Sequence, residues 1–78
     1  MTVIVSLEDE DGVRCVDVFR RDDGSFGFKE FRRDPEDQGR WTLVADYSHQ
    51  RFSNQSATLR AAGKAIAWLA DVHPSRVS

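Results

Sequence analysis

The chain has 78 residues, of which 40% are hydrophobic and 31% charged, and its formal net charge is −2. This length predicts one domain near the lower size limit for independent folding, and this composition excludes a disordered tail or a membrane span. The single cysteine, Cys15, excludes an internal disulfide and any metal site with several thiolates, and it favours the reducing cytoplasm.

The first part of the sequence predicts a β-hairpin. Residues 2–7 and 13–20 are rich in β-forming side chains, and Asp11-Gly12 between them is a tight-turn signal. The opening apolar run is too short to cross a membrane and has no basic residues before it, so it indicates a strand and not a signal peptide.

A second turn signal, Asp23-Gly24, starts a third strand. Phe26 and Phe28 alternate onto one face of that strand. Phe31 breaks the alternation, and we expect a β-bulge near Glu30 to restore it.

The loop over residues 34–39 contains two turn residues, Pro35 and Gly39, and it leads into a fourth strand. Apolar residues recur there at every second position, which is typical of a half-buried strand. The residues expected to share the buried face are Trp41, Leu43, Ala45 and Tyr47.

The last third of the sequence predicts one helix over about residues 53–72. Ser53 is placed as its N-cap, with Asn54 and Ser56 as alternatives, and Pro74 ends it. At 100° per residue, one arc of apolar residues must face the sheet. That arc consists of Leu59, Ala62, Gly63, Ile66, Leu69 and Ala70.

Trp68 falls about 180° from Leu59 on the same helical projection. It joins a stripe of small residues that lets another backbone approach, formed by Ala57, Ala61, Ala65 and Val72. Three occupants of this stripe remain open: the chain's own ends, a second copy that forms a symmetric dimer, or a different protein. We expect the dimer, because small domains often need added burial.

Catalytic and metal-binding patterns are missing from the sequence. Cys15 lies in a strand of alternating apolar residues, where a cysteine is usually inert packing. His49 and His73 have no matching carboxylate spacing, and a helix dipole by itself explains a histidine at the position of His73. We therefore expect no enzymatic function, no cofactor and no metal.

Nucleic-acid binding is the alternative function. Arginines on the strands, among them Arg14, Arg33 and Arg40, would line one face of the sheet and contact phosphates. The isoelectric point near 5.6 argues against this reading, because phosphate neutralisation drives most of the affinity for nucleic acid.

The run GSFGFKEFRR…GRWTLVADYSHQRFSNQSATLRAAGKAI carries a resemblance to a known family. An aromatic strand and a turn precede F-S-x-x-x-A and an alanine-rich helix, here Phe52, Ser53 and Ala57. This order resembles the strand–strand–strand–helix unit of small bacterial YegP-like proteins, whose function is unsettled. The resemblance covers residues 13–70 and implies a fold, but it transfers no site.

The same order of elements is also similar to sheet-plus-helix DNA-binding domains of the integrase-arm type. That likeness implies a role in phosphate contact for arginines on the sheet, which would correspond to Arg33 and Arg40 in this sequence.

Together these patterns predict a single α+β domain over residues 1–78, with an antiparallel meander of three or four strands packed against one C-terminal helix. The expected function is a cytoplasmic protein-interaction domain that forms a homodimer through Trp68, Ala61, Ala65 and Val72, or that binds an unidentified protein there. The residues expected at the centre of the core are Trp41, Leu43, Phe26, Phe28, Leu59, Ile66 and Leu69, with Tyr47 and Phe52 at its edge.

Overall fold

The computed structural model describes residues 1–34, 36 and 38–78, so the turn expected at Pro35 lies outside the described residues. Four strands form one antiparallel sheet in chain order: β1 (Thr2–Glu8), β2 (Arg14–Arg20), β3 (Phe26–Arg33) and β4 (Trp41–Asp46). Three helices follow on one face: α1 (Gln55–Ala65), α2 (Ala67–Val72) and α3 (Pro74–Val77). The expected α+β class and antiparallel meander are confirmed.

The two hairpin turns form where the sequence places them, because a carboxylate and a glycine cooperate in each. Asp9 accepts the backbone N–H groups of Val13 and Arg14 at 2.9 and 3.2 Å, and Gly12 supplies the positive φ of 69°. In the second turn Asp23 accepts the N–H of Ser25 at 3.0 Å.

The core lies between the sheet and the helices. Its most completely buried apolar side chains come from β2, β3, α1 and α2: Val16, Val18, Phe28, Ala62 and Leu69. The expectation is confirmed for Phe28, Leu59, Ile66 and Leu69, and for Tyr47 and Phe52 at the edge. Phe26 is half-buried. Leu7, Val16 and Val18 complete the core from the first hairpin, which the sequence reading did not single out.

Trp41 and Leu43 were expected in the core, and this prediction is wrong. They are 40% and 47% exposed, on the opposite face of the sheet. The reason is one extra residue in β4: Leu43 pairs with Phe31 and Ala45 pairs with Glu30, so Val44 has no counterpart on β3. Because an extra residue reverses the alternation, the side chains on either side of it point to opposite faces.

The expected bulge near Glu30 therefore exists, but its extra residue belongs to β4 and not to β3. Phe31 needs no bulge of its own, because it simply points to the face opposite Phe28. Beyond Val44 the chain returns Tyr47 to the helix side, where its ring stacks on Phe28 at 4.6 Å between centroids.

The expected single helix is divided at Ile66, whose φ of −121° and ψ of 102° are extended. Asn54, one of the alternative caps, accepts the N–H of Ala57 at 2.8 Å. The short α3 folds back onto α1, where Val77 packs against Gly63. In the described part of the chain, no helix has the length and apolar character that a membrane crossing requires.

Candidate functional site

The sheet face opposite the helices, here called the outer face, is the candidate site. Helices cover only one side of the sheet, so residues at alternate strand positions face solvent on the other. Such a face is usually polar in an antiparallel sheet. This one carries Trp41 and Leu43, which are 40% and 47% exposed, together with Phe31 between β2 and β4.

A shallow concavity of about 250 Å³ lies on the outer face. It spans all four strands and is lined by Ser6, Glu8, Cys15, Asp17, Phe31 and Trp41. Its aromatic side belongs to β3 and β4, whereas its carboxylates belong to β1 and β2. The concavity is therefore apolar at one end and acidic at the other.

Asp17 organises the acidic end. Its Oδ1 accepts the hydroxyl of Ser6 at 2.7 Å and the thiol of Cys15 at 3.3 Å. Burial, followed by the hydrogen bond to the Asp17 carboxylate, raises the pKa of Cys15 to about 12. A nucleophilic cysteine requires the opposite shift, so this thiol stays protonated and unreactive near neutral pH.

Two basic residues of the outer face, Lys29 and Arg33, lie on β3 and contact aromatic rings, and Arg21, just after β2, lies 4.9 Å from the centroid of the Phe19 ring. The ammonium of Lys29 lies 5.6 Å from the centroid of the Phe19 ring. The guanidinium of Arg33 lies 4.8 Å from the centroid of the Trp41 ring, and its Nη2 donates to the carbonyl of Gly12 at 2.7 Å. Such contacts are worth about 0.5–1 kcal/mol each at exposed sites.

The line between β2 and β3, here called the midline, separates these charges. Asp17 on β2 and Lys29 on β3 are register partners across it. Within the described residues the two form no ion pair, because Lys29 leans toward Phe19 and Asp17 accepts from Ser6 and Cys15. Lys29 has Asp46 on β4 as its other register partner, and its charge acts on that carboxylate, so Lys29 lies between Asp17 and Asp46 in one row of the outer face.

The residues of the expected helix interface do not form one exposed stripe. Trp68 is half-buried against the core and donates its indole N–H to Glu30 at 2.9 Å, so the expectation that it lies outside the core is wrong. The break at Ile66 rotates α2 relative to α1 and defeats the 100° projection. Ala61 and Val72 are half-buried, and Ala65 is exposed.

The arginines expected to share a nucleic-acid face are divided between the two faces of the sheet. Arg14 lies two residues before the buried Val16 on β2 and therefore on the helix side of the sheet. Arg33 covers Trp41 on the outer face. Arg40 is exposed just before β4. Nucleic-acid binding stays a prediction, with Arg14 and Arg33 on opposite faces of the sheet.

Of the two histidines, His73 has a specific structural role. His73 lies with its Nε2 2.7 Å from the carbonyl oxygen of Glu8, which ties the end of α2 to β1. Sequence alone gave no signal for this contact, because 65 residues separate the pair. In the described part of the chain, no three His, Cys, Asp or Glu side chains are grouped to hold a metal ion.

Comparison with known proteins adds no relative: no protein-family model matches the chain, and no match was found among curated proteins or among solved structures. The resemblance to YegP-like proteins therefore stays a prediction. The function must be argued from the outer face itself.

Proposed function

We propose that this protein is a non-enzymatic protein-interaction domain whose partner is a second copy of the chain, bound through the outer face. The observation that carries the proposal is the pair Asp17 and Lys29, opposite charges in register across the midline that form no ion pair within the described chain. Exposed Trp41 and Leu43 add apolar area to the same face.

The charge pattern selects one symmetry for the dimer. A two-fold axis parallel to the strands, above the midline, sets β2 of one copy over β3 of the other. Asp17 of each copy then faces Lys29 of the other, and Cys15 faces Phe31, because these pairs share register rows. An axis across the strands at the same row would set Asp17 over its own copy, which like-charge repulsion disfavours.

The size of the outer face suits a weak dimer. Four strands of six to eight residues give a face of roughly 19 by 24 Å, or about 900 Å² in projection for two copies. Stable interfaces bury about 1,200–2,000 Å², so this face falls below that range, among weak and transient interfaces. We expect a dissociation constant on the order of micromolar and a dimer that dilution separates.

A dimer through the helices, as the sequence suggests, is the competing arrangement. Ala65 is the exposed member of that stripe, whereas Trp68 already packs within its own chain. The helix face therefore offers less apolar area than the outer face. A dimer through the helices depends on Ala65, whereas a dimer through the outer face depends on Leu43. A substitution at each position therefore distinguishes the two arrangements.

The test is molar mass by light scattering over a dilution series from about 1 mM to 1 µM, a range set by the expected affinity. Leu43→Arg places a charge on the outer face without removing any internal hydrogen bond, and it should give a monomer. Ala65→Arg is the matched control on the helix and should leave the dimer intact. A circular dichroism melt of each variant confirms that it folds.

Charge exchange tests the axis. Lys29→Asp should weaken the dimer, because it sets two carboxylates opposite each other. Adding Asp17→Lys to that variant should restore the dimer, because the signs again alternate across the midline. A monomer at every concentration overturns the proposal, and a dimer lost with Ala65→Arg but retained with Leu43→Arg assigns the interface to the helices.

The proposal keeps the cytoplasm as the compartment and assigns no cofactor. The free thiol of Cys15 supports a reducing environment. Its raised pKa, to about 12, and its donation to Asp17 argue against nucleophilic catalysis at this residue.

A further inference from the structure

A second feature lies on the helix-side face, at the end of the sheet near the first hairpin turn. Arg14 on β2 and Arg32 on β3 are direct register partners, and both side chains are exposed. Directly opposed residues place their Cβ atoms about 4.5–5.5 Å apart. The two guanidinium groups therefore start from neighbouring positions and reach over the same surface.

Like charges directly opposite each other destabilise a sheet. Neither Arg14 nor Arg32 forms an ion pair within the described residues. This sets them apart from Arg51, which is paired with Asp23 at 2.6 Å. Within the described residues the two positive charges thus lie side by side without a direct ion pair, with Asp9 within electrostatic range of Arg14, and a doubly charged anion would relieve their mutual repulsion.

Each of the three carboxylates around this pair accepts a hydrogen bond from another group, and Asp9 also lies within electrostatic range of Arg14. Glu30, two residues before Arg32 on the same face, is buried and accepts the indole N–H of Trp68 at 2.9 Å. Asp9 accepts the backbone N–H groups of Val13 and Arg14. Asp34, which borders a shallow concavity with Arg32, accepts the N–H of Glu36 at 2.9 Å.

A third hydrogen-bond donor, on β4, lies next to Arg32 in the same register row. Thr42 is the register partner of Arg32, lies on the same face and is exposed. Arg14, Arg32 and Thr42 thus present two guanidinium forks and a hydroxyl on three adjacent strands. Trp68 contacts Glu30, two residues before Arg32 on the same face, whereas Arg14, Arg32 and Thr42 are themselves exposed.

We propose that Arg14, Arg32 and Thr42 bind a phosphate dianion. Two guanidinium groups match a doubly charged tetrahedral oxyanion, because each donates two parallel N–H bonds to a pair of its oxygens. A carboxylate would neutralise only one of them. The site lies on the face opposite the proposed dimer interface, so it is independent of self-association and stays accessible in a monomer and in a dimer.

The first experiment is titration of the folded protein with inorganic phosphate at constant ionic strength, with chloride as the exchanged anion, followed by two-dimensional amide NMR. We expect saturable shifts centred on residues 13–15, 31–33 and 41–43. Arg14→Gln and Arg32→Gln should each weaken binding by about tenfold or more, because each removes a charge-assisted pair of hydrogen bonds.

Arg20→Gln is the matched control. Arg20 is exposed on the same strand and the same face as Arg14, but its register partners are Thr2 and Phe26. Its replacement should leave phosphate binding unchanged. Phosphate also stabilises folded proteins by exclusion from their surface, so equal effects on the wild type and all three variants would overturn the site.

A short single-stranded oligonucleotide without terminal phosphates distinguishes a nucleic-acid face from a dianion site. Phosphodiesters carry one charge each, and their binding falls steeply with salt. Phosphate binding that Arg14→Gln abolishes, with no oligonucleotide binding, supports the proposal. Oligonucleotide binding without phosphate binding would overturn it in favour of the nucleic-acid alternative. If the protein binds neither phosphate nor the oligonucleotide, the phosphate site is also overturned. The proposed dimer is tested separately, by the molar mass in solution.

Discussion

Trp68 donates its indole N–H to Oε2 of Glu30 at 2.9 Å, and this hydrogen bond joins α2 to β3 across the core. Glu30 is 7% exposed and faces the helices between Val16 and Ala45. A carboxylate so placed requires a donor, because a buried polar group without one destabilises the fold. Trp68 supplies that donor and covers the edge of the core with its ring.

Trp68→Phe should therefore lower the free energy of unfolding by about 1–3 kcal/mol, because it leaves the Glu30 carboxylate without its indole donor. Urea denaturation measures the change. In a Glu30→Gln background the same replacement should cost less, since the remaining acceptor is neutral. Equal losses in the two backgrounds would show that packing of the ring, and not the hydrogen bond, is responsible.

Gly63→Ala should destabilise the protein, although alanine is the better helix former by about 1 kcal/mol. A Cβ at residue 63 would lie 2.7 Å from the Cβ of Val77, which packs α3 against α1. Overpacking of this kind costs about 1–3 kcal/mol. Thermal unfolding measures the effect.

The control for this close approach is the double variant Gly63→Ala with Val77→Gly. Removing the Cβ of Val77 together with its methyl groups should make the Gly63→Ala change smaller than in the wild type. A stabilising effect of Gly63→Ala in the wild type would contradict the contact between α1 and α3.

Cys15 should resist alkylation in the folded protein. Its thiol has a pKa raised to about 12 by burial and by donation to Asp17, so the thiolate fraction at pH 8 is minute. We expect iodoacetamide to react at least about a hundredfold more slowly with the native chain than with the chain in urea. Asp17→Asn should narrow this difference, because it removes the negative charge. Equal native and unfolded rates would contradict the burial of the thiol.

Two turn carboxylates should make stability fall in acid. Hydrogen bonds from the side chain and N–H of Ser25 hold the pKa of Asp23 below its usual value, and those from Ser48 do the same for Asp46. Because the folded pKa is depressed, this stabilisation is present above the unfolded value, about 3.9, and is lost as pH falls through the folded value.

Urea midpoints between pH 6 and pH 2 test this linkage. Asp46→Asn should be less stable than the wild type at pH 6, and the difference should shrink below about pH 4, where the wild-type carboxylate takes up its proton. Thr42→Ala, on an exposed position of the same strand, is the control without a titrating group. A difference that stays constant with pH would contradict the depressed pKa.

The sequence was sufficient for the local features of the fold. Asp-Gly pairs specify tight turns through backbone preferences that need no tertiary contact, and both hairpins form around Gly12 and Gly24. Apolar spacing likewise selected Leu59, Ile66 and Leu69 for the core. These signals involve residues close together in the sequence, so they can be recognised from one sequence alone.

The candidate site was harder to predict, because it depends on how strands pair. The alternation of Trp41, Leu43, Ala45 and Tyr47 suggested one buried face, and the extra residue Val44 divided it into two. The row of Arg14, Arg32 and Thr42 also depends on register, since nothing in the order of the residues aligns three strands.

By itself the sequence determined the class of fold, the turns and the buried α1 residues Leu59 and Ala62, because backbone preference and hydrophobic period are local. Only the tertiary structure decided which face each aromatic side chain occupies. The bulge at Val44 exposed Trp41, and the extended residue Ile66 turned Trp68 into the core. In each case a single residue departs from the regular geometry of its element. The extra residue Val44 reverses the face of the strand side chains beyond it, and the extended residue Ile66 rotates the helical side chains that follow.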